Sequence, residues 1–166
     1  MTDNQSVNQR AREVLTDEEA EAVAGFCREL VSRLRLTLEV AVRMEGRSLA
    51  LNLSGPDRPI LLSNTAAALN SIEYLTNKAF RTGKDERIAT ISLDSENYRQ
   101  HREAELKLLA QIASQKVIAQ QRPLSLQPMN PRERRIVHLA LASIPGVRSQ
   151  SNGEGDNRSI TIYPAD

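Results

Sequence analysis

The sequence predicts an α+β protein built from two small domains. Its 166 residues suffice for one ordinary domain or two small ones. Residues 16–94 alternate between helical and strand-like apolar spacing in the order α-β-β-α-β. Residues 95–121, which contain neither Gly nor Pro, then precede short strands around one further helix. The predicted organisation is a disordered tail over 1–15, a domain over 16–94, a connecting helix over 95–121 and a domain over 122–166. Each domain is a small antiparallel or mixed sheet covered by helices.

The first domain is predicted to open with a helix followed by a β-hairpin. Thr16 is suited to the N-cap and Glu19 to the third helical position, which together form a capping box. Apolar residues then alternate over 36–42 and again over 49–53, a pattern typical of strands with one buried face. Residues 45–47, which include a glycine, supply the turn between them.

A second helix and a third strand complete the predicted first domain. The apolar stripe of this second helix is predicted at Ala68, Ile72, Leu75 and Ala79. Gly83 is expected to end the helix, and Ala89, Ile91 and Leu93 are expected to share one face of a strand. The stripe of the connecting helix is predicted at Leu106, Leu109, Ala113 and Val117.

The best-marked boundary is the start of a fourth helix. Asn130 suits the N-cap, Pro131 the first turn and Glu133 the third helical position. Its apolar arc is predicted at Ile136, Leu139, Ala140 and Ser143. At roughly 100° per residue, Arg134 and His138 fall nearly opposite that arc, one turn apart. Such a pair can contact a phosphate, unless Arg134 is merely solvated and His138 packs against a loop.

Charge is distributed unevenly along the chain. Residues 1–94 carry 12 basic and 14 acidic side chains, whereas residues 121–148 carry 5 basic and 1 acidic. The C-terminal third could therefore attract a polyanion, or the charges could simply form a solvated helix face. With two Phe, three Tyr and no Trp, the chain is poorly supplied for stacking bases on aromatic rings.

Several protein classes are excluded or disfavoured by composition. No apolar run approaches the roughly 18 residues of a membrane span, and the N-terminus lacks the apolar region of a secretory signal. One cysteine, Cys27, excludes a disulfide framework, and it shows no metal-ligand spacing with His101 or His138. The sequence therefore predicts a cytoplasmic protein without metal or cofactor. No nucleophile–base set is visible, so an enzyme is not expected.

The C-terminal residues resemble a known nucleic-acid-binding domain. Arg134 and His138 match an Arg-xxx-His motif, and Ser151, Gly153 and the segment 158–162 resemble the rest of the domain named after it (R-x3-H). Residues 129–138 are similar to the version of this domain in the bacterial Jag (SpoIIIJ-associated) family. In that family the domain binds single-stranded nucleic acid and follows a type II KH domain, joined through a helix. The α-β-β-α-β order of residues 16–94 fits that arrangement.

The loop of the KH-like domain departs from the family pattern. A KH domain clamps about four nucleotides with a Gly-x-x-Gly loop. Alignment on the second helix places this loop at Ser63, Asn64, Thr65 and Ala66, which have neither glycine nor a basic side chain. Such a loop could still bind the nucleic-acid backbone through N–H groups and hydroxyls. Alternatively, the domain is degenerate and serves as a scaffold or dimerisation surface, the interpretation favoured by its missing positive charge.

The resemblance implies a protein that binds single-stranded RNA or DNA through its C-terminal domain, and the family favours RNA of the two. The expected role is post-transcriptional regulation connected with the cell envelope. The expected contact residues are Arg134, Arg135, His138, Arg148, Ser151, Gly153 and Arg158. The alternative is a protein-interaction adaptor whose KH-like half pairs with another KH protein or with itself. No membrane insertion is expected.

Overall fold

A computed structural model describes residues 15–80, 88 and 90–165. The chain divides into two compact units, with the boundary between Asn97 and Tyr98. The elements of the first unit are α1 (Asp17–Arg33), β1 (Glu39–Glu45), β2 (Ser48–Ser54), α2 (Arg58–Phe80) and β3 (Thr90–Asp94). Those of the second are α3 (Tyr98–Gln120), β4 (Leu124–Ser125), α4 (Pro131–Ala142), β5 (Val147–Asn152) and β6 (Ser159–Pro164). The predicted tail up to residue 14, the helix end at Gly83 and the strand position of Ala89 lie outside the described residues.

The first unit is a three-stranded mixed sheet in the order β1-β2-β3. β1 and β2 are antiparallel and joined by the two-residue turn Gly46–Arg47, where Gly46 has a φ of 63° that glycine adopts without strain. β3 runs parallel to β2 because the long helix α2 connects them. Every second residue of β2 is buried, from Leu49 to Leu53, so the predicted hairpin with one buried face is confirmed.

The predicted stripe of α2 is displaced by one helical position. Leu69, Ile72 and Thr76 are buried, whereas Leu75 is 47% exposed. Thr76 can be buried because its hydroxyl donates a hydrogen bond to the carbonyl of Ile72 at 2.8 Å. A polar residue satisfied within its own helix therefore belongs to the core, and an expectation based on apolar spacing alone assigned this position to solvent.

Helix α2 is interrupted at the predicted loop. Ser63 is extended, and Asn64, Thr65 and Ala66 follow with φ values of 48°, 57° and 58°. Three successive left-handed residues without a glycine are strained, most of all at the β-branched Thr65. The carbonyl of Thr65 accepts a hydrogen bond from Asn70 Nδ2 at 3.3 Å, and Ala66 is buried, so the surrounding helix holds the loop in place.

We expect Thr65→Gly to stabilise the first unit by about 1 kcal/mol, because glycine adopts this backbone conformation without the penalty of a Cβ. Asn64→Gly is the matched control and should change stability by only a few tenths of a kcal/mol, since Asn tolerates left-handed backbone. Native-state amide exchange of β2 measures both. A less stable Thr65→Gly protein would show that the Thr65 side chain stabilises the loop more than its strain costs.

The second unit packs two helices against an antiparallel sheet in the order β4-β6-β5. Its buried core is formed by Leu106, Ala110, Ala113, Val117, Met129, Val137, Leu141, Ile160 and Ile162. The predicted connecting helix corresponds to α3, whose buried face is part of this core. One position of the predicted α3 stripe is wrong: Leu109 is 42% exposed and Ala110 is buried in its place. An alanine lets α3 lie close to its neighbours, which a hydrophobicity pattern weighted toward leucine does not reveal.

The predicted α+β class with two small sheets is confirmed. Across the described residues, no helix combines the length and apolar character needed to cross a membrane.

Candidate nucleic-acid interface

The N-terminus of α4 is anchored by a capping box, as predicted. Asn130 Oδ1 accepts a hydrogen bond from the Glu133 backbone N–H at 2.9 Å, and Glu133 Oε2 accepts one from the Asn130 N–H at 3.2 Å. The other carboxylate oxygen of Glu133 accepts a 2.7 Å hydrogen bond from Arg102 Nε on α3. Glu133 is only 4% exposed, so this carboxylate links the two helices from within the unit.

The predicted orientation of α4 is wrong by roughly 100° about the helix axis. Val137 and Leu141 are buried together with Glu133, whereas Leu139, expected in the apolar arc, is 63% exposed. The difference arises because Glu133 is buried through its pairing with Arg102, while a sequence pattern assigns glutamate to solvent. As a result Arg134 and His138 do not lie opposite the core but flank it, half-buried, beside β5.

The surface beside α4 forms an open groove of about 550 Å³. Arg134, Arg135 and His138 line it from α4, Ser149 and Ser151 from β5, and Arg158 from the residue before β6, together with Pro131, Leu139 and Ala142. We call this surface the α4–β5 groove. No acidic residue of the described chain lines it, so its charged side chains are all cationic.

Each functional side chain in the groove is held by one protein contact. Arg134 Nη1 donates to the carbonyl of Met129 at 3.0 Å, and Arg158 Nε donates to Ser151 Oγ at 2.9 Å. His138 Nδ1 lies 2.8 Å from Ser149 Oγ. These contacts occupy one nitrogen of each group, which leaves further guanidinium N–H groups and the second ring nitrogen of His138 for a ligand.

His138 is neutral at neutral pH. Partial burial lowers the pKa of its imidazole from the usual 6.5, and the neighbouring positive charge of Arg134 lowers the pKa further. The histidine therefore contributes a hydrogen-bonding group to the groove, while the arginines supply its positive charge.

Two predicted contact residues lie elsewhere. Arg148 projects from β5 on the opposite face of the sheet, where its guanidinium lies 4.5 Å from the ring centroid of Tyr163. Gly153 is in the turn after β5 with a φ of 90°, and a Cβ there would lie 2.8 Å from the carbonyl oxygen of Asn157. Its position makes Gly153 a determinant of the turn that leads to Arg158.

Sequence reasoning missed Ser149. The signal was available in the alternation of β5, because Ser149 and Ser151 are two residues apart and therefore project from the same face of a strand. What the sequence did not reveal was that this face is turned toward His138.

The loop Ser63–Ala66 belongs to the first unit. It lies between the two halves of α2, as the alignment on the second helix placed it, and its backbone is left-handed over three residues. Ser63 Oγ donates to the carbonyl of Ile60 at 2.7 Å, so the serine hydroxyl is already used within the helix end. The loop side chains include no cation.

The described residues contain no group of three or more His, Cys, Asp or Glu side chains arranged to hold a metal ion. Cys27 is buried, and this burial raises the pKa of its thiol to about 11, which keeps it protonated and unreactive at neutral pH.

Comparison with known proteins agrees with the resemblance noted in the sequence. The RNA-binding protein KhpB of Clostridium symbiosum is 31% identical to this chain over 158 residues, covering 94% of this chain and 69% of the relative. This chain belongs to the KhpB family. The KhpB proteins of Bacillus subtilis and Lactiplantibacillus plantarum are 28% and 25% identical over 86% and 92% of this chain. The chain spans 64% and 47% of the lengths of those two relatives.

The R-x3-H domain family matches residues 104–164. This stretch contains α4, β5 and β6, and hence every residue of the α4–β5 groove. The predicted membership of the Jag family, to which the KhpB proteins belong, is confirmed.

Proposed function

We propose that this protein binds single-stranded RNA through the α4–β5 groove. The observation that carries the proposal is the convergence of Arg134, Arg135, Arg158 and His138 on one open groove without an acidic side chain. Its membership of a family whose relatives are named RNA-binding proteins supports RNA as the ligand.

The geometry suits phosphate groups better than bases. Arg134 and Arg158 are each oriented by one hydrogen bond to the protein and keep further N–H donors for phosphate oxygens. The groove is lined by no aromatic ring of the described residues, so base stacking contributes little there. Binding should therefore depend weakly on sequence. With three arginines neutralising phosphates, the logarithm of the affinity should fall with the logarithm of salt concentration with a slope of about −2.

The proposal also covers the rest of the chain. Residues 16–94 form a type II KH-like domain whose loop, Ser63–Ala66, is degenerate and serves as a scaffold or as a surface for another KH protein or a second copy. This assignment is supported by the absence of a cation in the loop and by the acidic excess of residues 1–94. Residues 95–121 act as the connecting helix to the R-x3-H domain of residues 122–166, after a tail over residues 1–15. Arg148 and Gly153 contribute from outside the groove, the first by its exposed charge and the second through the turn.

The proposed activity is binding rather than catalysis, in the cytoplasm, by a protein that regulates RNA after transcription. The family's RNA-binding name supports this role. The second candidate, a protein-interaction adaptor, is favoured by the exposed apolar side chains Leu108, Leu109 and Ile112 on α3. RNA binding and its loss in groove variants distinguish the two.

Fluorescence anisotropy with a labelled single-stranded oligouridylate tests the proposal. We expect the Arg134→Ala/His138→Ala double variant to bind at least about ten-fold more weakly than the unmodified protein, because it removes one charged and one neutral phosphate contact. Raising the salt concentration from about 50 to about 200 mM should weaken wild-type binding roughly twenty-fold.

Arg132→Ala is the matched control, since Arg132 is exposed on the same helix but does not line the groove. Its affinity should stay within about two-fold of wild type. An equal loss in the control would indicate binding by overall charge rather than by the groove. Absence of wild-type binding at low salt would exclude the RNA proposal and favour the adaptor.

A further inference from the structure

The contact between His138 and Ser149 leaves one chemical question that determines what the groove can bind. A neutral imidazole carries a single proton, on Nδ1 or on Nε2. If the Ser149 hydroxyl donates to Nδ1, then Nε2 carries the proton and donates to a ligand. If Nδ1 donates to Ser149 instead, Nε2 is a lone pair that repels an anionic oxygen.

The surroundings of Ser149 favour the first arrangement. Among the described residues, the hydroxyl of Ser149 has His138 Nδ1 as its hydrogen-bond partner, at 2.8 Å, and no second acceptor. Donation to Nδ1 therefore places the hydroxyl proton within the protein, whereas the opposite arrangement leaves that proton to water. The second nitrogen, Nε2, has no hydrogen-bond partner within the described chain.

We propose that Ser149 is a positioning residue that holds His138 in its neutral Nε2–H form, so that the ring donates a hydrogen bond to an RNA phosphate in the α4–β5 groove. This inference rests on the proposed RNA-binding function. It assigns Ser149, which does not have to touch RNA itself, a role in phosphate recognition.

The charges around His138 are consistent with a neutral donor. From its own helix it faces Arg134, with Arg135 further along the groove; from β5 it faces Ser149 and Ser151; and Arg158 precedes β6. All the charged groups are cations, and together with burial they disfavour a protonated ring. A carboxylate in place of Ser149 would stabilise the imidazolium but would also place a negative charge beside the phosphate. A hydroxyl orients the ring without that repulsion.

The side-chain ¹⁵N resonances of His138 test the positioning step directly. A long-range ¹H–¹⁵N spectrum of the full chain distinguishes a protonated from an unprotonated ring nitrogen, and exposed His101 provides a reference in the same spectrum. At about pH 7.5 we expect His138 to show a protonated Nε2 and an unprotonated Nδ1. We expect Ser149→Ala to lose this preference and Ser149→Thr, which keeps the hydroxyl, to retain it.

RNA affinity tests the consequence. With the same labelled oligouridylate, Ser149→Ala should bind roughly two- to ten-fold more weakly at about pH 7.5, the value of one hydrogen bond. Ser149→Thr should restore binding. The deficit should narrow as the pH falls toward about 5, because a protonated ring donates from both nitrogens whatever its partner. Gln150→Ala is the matched control, because Gln150 is the next residue on β5 and projects from the opposite face.

The outcomes separate the two proposals. If the wild-type spectrum shows the proton on Nδ1, or if Ser149→Ala binds RNA as tightly as wild type at both pH values, the positioning role is wrong while the proposed function stands. If the wild-type protein shows the Nε2–H form and fails to bind RNA at low salt, the proposed function is wrong, and the phosphate contact is wrong with it.

Discussion

The Glu133→Ala variant is expected to lose about 2 to 3 kcal/mol of stability in the second unit. Glu133 is almost completely buried and performs two tasks: Oε2 completes the capping box of α4, and Oε1 accepts the 2.7 Å hydrogen bond from Arg102. Loss of the cap costs about 1 kcal/mol. The larger part comes from Arg102, which would remain partly buried without its closest acceptor. Because the Arg102 side chain is 33% exposed, this loss lies below the range for fully buried pairs.

Two control variants separate these contributions. Glu133→Gln keeps an oxygen for the capping box but removes the charge, so it should fall between wild type and Glu133→Ala. Glu105→Ala removes the other, exposed partner of Arg102 and should cost less than about 0.5 kcal/mol. Native-state amide exchange of α4 measures each free energy. Equal effects of Glu133→Ala and Glu105→Ala would contradict a structural role for the buried carboxylate.

Gly153→Ala is expected to destabilise the second unit by about 2 kcal/mol and to weaken RNA binding. The backbone at Gly153 has a φ of 90°, and an added Cβ would lie 2.8 Å from the backbone oxygen of Asn157. Because that oxygen belongs to the chain immediately before Arg158, the clash must move the segment that carries this arginine. Its hydrogen bond to Ser151 would then be disturbed.

Gly155→Ala provides the control in the same turn. Gly155 also has a positive φ, 51°, but a Cβ there meets no atom within 4 Å. It should cost about 1 kcal/mol through backbone strain alone and leave RNA affinity unchanged. Urea denaturation and anisotropy measure the two effects separately. If both alanine variants bind RNA equally well, the close approach at Gly153 does not position Arg158.

The parts of the fold that depend on local interactions could be predicted from the sequence. The capping boxes at Thr16 and Asn130 are made by residues three apart, and the hairpin of β1 and β2 follows from alternation and a glycine turn. The loop at 63–66 was also placed correctly, though its left-handed backbone was not foreseen. These features lie within a few residues of the groups that determine them, so the linear order of amino acids contains the relevant contacts.

Which helical face is buried could not be predicted reliably. Thr76 and Glu133 are polar residues in the core, the first satisfied by its own helix and the second by Arg102 and the cap. Apolar spacing assigns such residues to solvent, so the predicted stripes of α2 and α4 were rotated. The error at α4 matters most, because it hid the fact that His138 lies against β5.

The sequence by itself determined the α+β class, the order of the elements and the identity of the motif that contains Arg134 and His138. Only the tertiary structure decided that Arg158 joins them in one groove, that Ser149 contacts His138, and that Arg148 lies on the other side of the sheet. Alternation along β5 divides its residues into two faces but does not say which face meets α4. That choice depends on long-range packing of α4 against the sheet, which a local pattern does not contain.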